Sequence, residues 1–323
     1  MKAVEVKNLS KSFKIKTKEK GIRGSLKSLI KPESIIKKAV DDITFDVEEG
    51  EILAFLGPNG AGKSTTIKML TGILERDAGS IKVMGIDPSK DRKALARKIG
   101  TMFGQKEQLW VHLTPYDNFK FFGSIYDLTN EEIENKISRF REIFDIEDIL
   151  NVPVRNLSLG QRIKCEIIAS LIHDPKILFL DEPTIGLDPI VKEQIRSLIK
   201  KMNQEYKLTI FLTSHDIVDI QKLCKRIIII NNGQLVIDES MDNIRKKYFT
   251  KKIVRVKLNH DYDFSLDDGI KILKVDGDYV KLEVDTKVAN VTDIFHLIPE
   301  DDIRDISVSD VSLESVIKNI YKM

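Results

Sequence analysis

Cysteine and tryptophan are scarce in this chain of 323 residues, which contains two cysteines and one tryptophan. Cys165 and Cys224 stand far apart and lack the close spacing of metal ligands. We therefore expect free thiols in a reducing, intracellular compartment, and we exclude a small secreted scaffold held by disulfides.

Long apolar runs are also missing. The sequence has no stretch of about 18 consecutive apolar residues, the length that a membrane span needs, and its most apolar run is Ile227–Ile230 with short flanks. The opening residues, MKAVEVKNLSKSF, lack the apolar core of a signal peptide. We expect neither a transmembrane helix nor a signal peptide, so a role at the membrane would require a partner.

Neither sign of charge is in clear excess. The chain has 52 lysines and arginines against 50 acidic residues, a net charge of +2. No overall field favours nucleic acid, and we expect no nucleic-acid partner. Hydrophobic residues make up 42% of the chain, which is enough for a globular core, and the length suggests about two domains.

A glycine-rich segment carries the first sign of function. Residues 57–65 read GPNGAGKST and fit the phosphate-binding pattern G-x-x-x-x-G-K-[ST]. An apolar strand-like run precedes the segment and a helix-compatible run follows it, which is the context that the motif requires. Glycines let successive backbone N–H groups converge on one anion, and the helix adds its positive N-terminal end. The predicted nucleotide-binding residues are Gly57, Pro58, Asn59, Gly60, Ala61, Gly62, Lys63, Ser64 and Thr65.

Within this segment two side chains have distinct predicted roles. Lys63 supplies a mobile positive charge for the β- and γ-phosphates, and the hydroxyl of Ser64 can bind Mg²⁺.

A second motif, ILFLDEP at residues 177–183, is an apolar strand that ends in two carboxylates. Ligands of parallel α/β sheets sit at this end of the strands. We expect Asp181 to hold Mg²⁺ and Glu182 to act as general base for an attacking water. The alternative is a strand that simply ends in solvated acids.

A third motif, LSLGQ at residues 157–161, precedes a helix with an apolar face. Ser158 and Gly160 at its start would form a second anion-binding helix end. The alternative is an ordinary helix cap.

These motifs, with Gly186-Leu187-Asp188 and Thr213-Ser214-His215-Asp216, occur in the order and spacing of ATP-binding cassette (ABC) transporter ATPases, which residues 1–240 resemble. Residues 103–110 further resemble ATPase subunits of multidrug-type and sodium-type exporters, in which a separate permease carries the transport path. The resemblance implies an α/β P-loop NTPase fold with a helical subdomain at about residues 106–172.

The resemblance also implies roles for single residues. Gln105 corresponds to a Mg²⁺ ligand that senses the permease, Asp188 to the D-loop, and His215 to the switch histidine at the γ-phosphate. Phe13 corresponds to the aromatic residue that stacks on adenine. The signature residues Ser158, Gly160 and Gln161 would contact the γ-phosphate bound to the opposite subunit. Leu159 departs from the family pattern, which has glycine at that position.

The resemblance thus predicts a homodimer that hydrolyses MgATP in two composite sites. Glu182 would orient or deprotonate water, while Lys63 and His215 stabilise charge on the γ-phosphate. Opening of the dimer would move a transmembrane permease at the cytoplasmic face of the cell membrane, most simply for export. Two alternatives are an importer ATPase and a soluble ABC ATPase that acts on ribosomes or DNA. A single cassette and the lack of sustained heptads at residues 66–156 argue against the soluble class.

Two further segments have open interpretations. Residues 14–38 are rich in lysine and arginine and would form either a basic amphipathic helix, with Ile22, Leu26, Leu29 and Ile30 on one face, or a solvated insertion loop. Residues 110–126 are rich in aromatic side chains, which mark either a core subdomain or an interaction surface.

The secondary-structure pattern divides the chain at about residue 240. In the first domain we predict strands at residues 1–13 and 39–56, a helical region at 115–150 capped at Thr129, a helix at 189–206 and a hairpin at Asn232-Gly233. Residues 241–323 read as a small α+β accessory domain. Its predicted strands are 253–258, 270–275, 279–284 and 303–308, with a turn at Asp276-Gly277 and helices at 289–297 and 313–321.

Overall fold

The computed structural model describes residues 1–16, 34–103, 107–259 and 268–321. The chain divides into two compact units, residues 1–238 and 239–323. This division falls close to the boundary that the sequence predicts at residue 240.

The strands up to Ser240 form two sheets. They are β1 (Lys2–Lys16), β2 (Ser34–Glu48), β3 (Ile52–Leu56), β4 (Ala78–Val83), β5 (Ile99–Phe103), β6 (Ile177–Asp181), β7 (Thr209–Thr213), β8 (Arg226–Asn231) and β9 (Gln234–Ser240). One sheet has the order β2-β1-β4 and the other β5-β6-β7-β3-β8-β9. In the second sheet, the pairs β5–β6, β6–β7, β7–β3 and β3–β8 are all parallel.

The first unit contains seven α-helices among its described residues. They are α1 (Lys63–Leu70), α2 (Arg92–Ala96), α3 (Pro115–Ile125), α4 (Asn130–Phe144), α5 (Leu159–Leu171), α6 (Pro189–Tyr206) and α7 (Ile217–Leu223).

The core of this unit lies along the parallel sheet. Strands β3 and β7 are buried along their whole length. The rings of Phe55 and Phe179 each pack against Phe211, with centroids 5.0 and 5.4 Å apart. Continuous apolar strands suit a parallel sheet that is covered on both faces. Because parallel strands end at one edge, the segments that follow β3, β6 and β7 meet there.

The ribbon of β1 and β2 extends further than predicted. The two strands were expected to end at residue 13 and to begin at residue 39. Their backbone pairing continues into the basic segment as far as Lys16 and Ser34. The centre of that segment, including Ile22, Leu26, Leu29 and Ile30, lies outside the described residues.

The region at residues 115–150 is helical, as predicted, and it consists of two helices and a 3₁₀ turn. Helix α3 ends at Ile125, where Asp127 adopts a positive φ of 60°, a conformation that cannot continue a right-handed helix. Helix α4 then begins at Asn130 with Thr129 as its cap, and the predicted capping box between Thr129 and Glu132 is confirmed. A 3₁₀ turn at Glu147–Ile149 follows.

Two other predictions in this unit are confirmed. Helix α6 spans the predicted residues and carries proline in its first turn. Strands β8 and β9 are neighbours in the sheet and are joined by Asn232 and Gly233, both with positive φ, as a tight hairpin requires.

The second unit is an antiparallel sheet with helices. Its elements are α8 (Met241–Tyr248), β10 (Lys251–Leu258), β11 (Ile270–Asp276), β12 (Tyr279–Asp285), α9 (Ile294–Leu297), β13 (Ile303–Asp310) and α10 (Leu313–Ile320). The sheet order is β11-β12-β10-β13. Alternate residues of β10 and β12, among them Val254, Val256, Leu282 and Val284, form its core with Ile294.

Two local predictions in this unit need correction. The turn between β11 and β12 consists of Gly277 and Asp278, because Asp276 already pairs with Tyr279; Gly277 supplies the positive φ of 59°. The predicted helix at residues 289–297 is a 3₁₀ turn at Val291–Asp293 followed by the four-residue helix α9.

Cys165 and Cys224 are both buried free thiols. Burial raises the pKa of Cys165 to about 12, which makes its reactive thiolate form rare. Within the described ranges, every helix is too short or too polar to cross a bilayer.

Candidate nucleotide-binding site

The glycine-rich loop joins β3 to α1 and passes close to neighbouring backbone. A Cβ atom on Gly57 would lie 2.4 Å from the carbonyl oxygen of Ile230, and one on Gly62 would lie 2.3 Å from that of Ala39. Gly62 also has a φ of 108°. Both positions therefore require glycine, which explains the residue pattern of the motif in terms of space as well as conformation.

Lys63 reaches back from the start of α1 into this loop. Its Nζ donates to the carbonyl oxygens of Gly57, at 2.6 Å, and Pro58, at 3.2 Å. Burial lowers the pKa of Lys63, and the carboxylates of Glu182 and Asp181 oppose this shift. The loop thus holds a cation that faces two acids.

A cavity of about 300 Å³ opens over the loop. It is lined by Phe13, Lys37, Ala39, residues 59–65 and Glu182. The side chain of Phe13 is 40% exposed, so an aromatic ring is available to a ligand in the cavity. Phe13 and Glu182 lie far from the loop in sequence, and the fold brings both to it.

The two acids at the end of β6 are held by the neighbouring strand β7. The hydroxyl of Thr213 donates a hydrogen bond to Asp181. The backbone N–H of Glu182 donates to the carbonyl oxygen of Thr213 at 3.0 Å. Glu182 adopts a φ of 57°, which is uncommon for a residue with a side chain and recurs at functional sites.

His215 follows β7 and faces the second of these acids. Its Nε2 lies 2.9 Å from Oε1 of Glu182. The role of Thr213 was not predicted, although the residue stands in the TSHD run. Only the pairing of β6 with β7 brings it against the carboxylate of Asp181 and the backbone of Glu182.

The signature residues and Asp188 form a separate cluster at the starts of α5 and α6. Ser158 and Gln161 make a capping box at α5, so the predicted helix start is confirmed. Asp188 caps α6 by accepting from two backbone N–H groups. A Cβ on Gly160 would lie 2.5 Å from Val191, so the two helix starts are in close contact. Leu159 is 44% exposed.

Among the described residues that line the 300 Å³ cavity, none belongs to the signature or is Asp188. One copy of the chain therefore carries two separate groups of predicted ligands.

The oxygen atoms near the loop suit a magnesium ion. Gln105, the third predicted ligand beside Ser64 and Asp181, lies outside the described residues. In the part of the chain that the structure describes, no group of three or more His, Cys, Asp and Glu side chains could hold a metal alone. Mg²⁺ commonly takes one or two protein oxygens together with waters and substrate phosphates, so a hydroxyl and a carboxylate fit it.

The aromatic segment at residues 110–126 contains both buried and exposed side chains. Phe119 is fully buried, whereas the Trp110 side chain is 60% exposed. Trp110 packs edge-on against Phe121 with ring centroids 5.8 Å apart. Residues 107–113 and Phe121 line a groove of about 660 Å³. The segment therefore combines core packing with an exposed aromatic surface.

Comparison with known proteins decides the family. The profile of the family described as ABC transporter matches residues 40–185. The chain is 35% identical over 209 residues to the ABC transporter ATP-binding protein NatA of Bacillus subtilis, an alignment that covers 65% of this chain and 85% of NatA. This chain belongs to the ABC transporter ATP-binding proteins. It is the ATP-binding subunit of such a transporter and an ATPase.

Other ABC proteins agree with this assignment. The probable multidrug ABC transporter ATP-binding protein YbhF of Escherichia coli is 34% identical over 248 residues, which cover 73% of this chain and 42% of YbhF. A dimeric post-hydrolysis structure of the ATP-binding cassette MJ0796 with ADP and phosphate superimposes with a TM-score of 0.61 at 26% identity. That match covers 74% of this chain and 98% of MJ0796. The predicted family and the P-loop NTPase fold are confirmed.

Proposed function

We propose that this ABC ATPase hydrolyses MgATP in two composite sites of a homodimer and thereby drives a separate membrane permease for export. One observation carries the hydrolytic part: Glu182 lines the same cavity as the phosphate loop and contacts His215. Export is supported by residues 103–110, which resemble exporter ATPases, and by the multidrug relative YbhF.

Binding would begin at the loop. The backbone N–H groups of residues 59–65 and the ammonium of Lys63 bind the phosphates of ATP, while Phe13 stacks on adenine. Lys63 exchanges its two carbonyl contacts for charged phosphate oxygens, which are stronger partners.

Ser64, Asp181 and Gln105 would hold the magnesium ion. When bound, the ion neutralises charge on the β- and γ-phosphates.

Glu182 would orient and deprotonate the attacking water. It lines the cavity, and its strained backbone is fixed by Thr213, so its carboxylate is held in place before ATP arrives. His215 stabilises charge on the γ-phosphate and, by contacting Glu182, keeps that carboxylate oriented.

A second copy would complete each site. Ser158, Gly160 and Gln161 lie outside the cavity of their own chain, and their helix start offers backbone N–H groups to an anion. In a two-fold dimer the signature of each copy faces the loop of the other, which gives two equivalent sites. The dimeric form of MJ0796 with ADP and phosphate supports this arrangement. Leu159 adds an apolar side chain beside each γ-phosphate.

The permease would dock at the aromatic groove of residues 107–113 and Phe121. This groove directly follows Gln105, so nucleotide and permease would act on one segment. The exposed Trp110 offers the large aromatic contact that is common at protein interfaces. The subunit would then sit on the cytoplasmic face of the cell membrane.

Steady-state phosphate release from purified protein tests the hydrolytic role. Glu182→Gln should bind ATP like the parent but lose turnover, and Lys63→Ala should lose ATP binding. Glu205→Gln, which changes an exposed carboxylate on α6, is the matched control and should keep the parent rate. Parent turnover in Glu182→Gln would reject the assigned base, and parent ATP affinity in Lys63→Ala would reject the phosphate loop.

A further inference from the structure

A buried carboxylate accepts hydrogen bonds from two segments, the one that contains Glu182 and the one that contains His215. Asp219 lies on α7 and is 1% exposed. Its Oδ2 accepts hydrogen bonds from the hydroxyl of Thr184 at 2.5 Å and from that of Ser214 at 2.8 Å. Thr184 follows Glu182 by two positions, and Ser214 directly precedes His215. One oxygen atom therefore joins the two loops.

The charge of this carboxylate is balanced from another helix. The Nη1 of Arg196, on α6, donates to Oδ1 of Asp219 at 2.7 Å. Arg196 is itself held by Glu193 at the surface, and Glu193 also pairs with Lys222. Each oxygen of Asp219 thus has a partner, as a buried charge requires.

Thr184 and Ser214, the two hydroxyl donors to Asp219, are called the tethers below, and both lie in constrained segments. Thr184 is buried. Ser214 also accepts from the backbone N–H of Asp216 at 3.0 Å, and Asp216 in turn pairs with Lys192 of α6. Movement of either loop relative to the other would break a bond to Asp219 and leave a buried polar group without a partner, which is costly.

Buried ion pairs seldom add stability over a well-packed apolar core. Hydrogen bonds are directional, however, and fix relative positions better than apolar contacts do. We infer that Asp219 is a positioning residue, which sets the distance between Glu182 and His215 through Thr184 and Ser214. This inference rests on the proposed hydrolytic roles of those two residues.

Variants of the two tethers test this inference with the ion pair left intact. Thr184→Val and Ser214→Ala should each lower kcat about tenfold, because Glu182 and His215 would no longer be held at their working distance. ATP affinity, measured as Kd by equilibrium binding, should stay within about twofold of the parent because the phosphate loop is untouched. The control variant Thr184→Ser keeps the hydroxyl and should therefore have the kcat of the parent.

The double variant provides a readout that a purely structural role would not give. Because both hydroxyls act through one carboxylate, Thr184→Val with Ser214→Ala should lose little more kcat than either change alone. Glu205→Gln changes an exposed carboxylate of α6 outside this charge cluster and should keep the parent kcat. Each rate is measured well below the melting temperature of the variant, so that unfolding does not contribute.

The inference is overturned if both tether variants keep the parent kcat, or if kcat and ATP affinity fall together. The Glu182→Gln variant separates this outcome from failure of the proposed function. An inactive Glu182→Gln beside fully active Thr184→Val and Ser214→Ala rejects the positioning role alone, whereas an active Glu182→Gln rejects the hydrolytic assignment itself.

Discussion

His215 and Glu182 are in direct contact, with Nε2 of the imidazole 2.9 Å from Oε1 of the carboxylate. Adjacent strands deliver them: Glu182 follows β6, His215 follows β7, and these strands pair in parallel. Glu182 has a left-handed backbone conformation and lines the cavity over the loop that follows β3. The contact therefore depends on sheet order more than on either motif alone.

Loss of the imidazole should slow hydrolysis and spare binding. We expect His215→Ala to lower kcat roughly a hundredfold, within the range for removal of a group that assists proton transfer or charge stabilisation. The Kd for ATP should change little, since His215 lies outside the phosphate loop. Phosphate release and equilibrium ATP binding are the measurements. His296→Ala, an exposed histidine of the second unit, serves as control; equal rates in the two variants would refute the role of His215.

Two glycines of the phosphate loop should respond differently to alanine. A Cβ on Gly62 would lie 2.3 Å from the carbonyl oxygen of Ala39, whereas one on Gly60 meets nothing within 4 Å. Both have positive φ, so both substitutions carry the cost of that conformation, about 1 kcal/mol or more. Only Gly62→Ala must also displace backbone.

Gly62→Ala should therefore weaken ATP binding at least tenfold more than Gly60→Ala, which corresponds to about 1.4 kcal/mol. Equilibrium ATP binding and thermal melting of the two proteins are compared side by side. Equal ATP affinities in Gly62→Ala and Gly60→Ala would show that the close approach of the Ala39 carbonyl to Gly62 does not constrain the phosphate loop.

The carboxyl of Glu166 should make stability depend on pH. Glu166 lies on α5 and is 6% exposed. Burial raises its pKa to about 7, while the backbone of Gln108 and the charge of Arg162 lower it and Glu107 raises it further. In the unfolded chain a glutamate has a pKa of about 4.3. At a pH between these two pKa values, the carboxyl of Glu166 is protonated in the folded chain and ionised in the unfolded chain.

Unfolding free energy should therefore fall as pH rises from about 4.3 to about 7, and the contribution should level off above that range. Glu166→Gln removes this titration. The difference in melting temperature between Glu166→Gln and the parent should grow in favour of the variant across this window. A difference that is constant with pH would mean that Glu166 titrates normally.

The sequence was sufficient for the phosphate loop because that site is local. Residues 57–65 are contiguous, and the strand before them and the helix after them could be predicted from apolar pattern alone. The helix starts at Ser158 and Thr129 were also predictable, since a capping box involves residues three positions apart.

Contacts between distant segments were not predictable. Nothing in the residue pattern indicates that Thr213 bonds to Asp181, or that Asp219 joins Thr184 to Ser214, because these contacts depend on which strands and helices are neighbours. The one available signal for Asp219 was an acidic residue on the apolar face of α7. The turn at Gly277-Asp278 was placed one residue early for a related reason: strand register is set by pairing with β12, which the turn residues alone do not define.

The central claim is that ATP is held between the phosphate loop of one copy and the signature of another. Sedimentation of Glu182→Gln protein tests it most directly, because ATP is then bound and not consumed. With MgATP we predict conversion of monomer to dimer, and the added change Ser158→Arg should prevent this conversion while ATP still binds to each chain. A protein that remains monomeric at saturating MgATP, or a dimer that forms equally well with Ser158→Arg, would contradict the account.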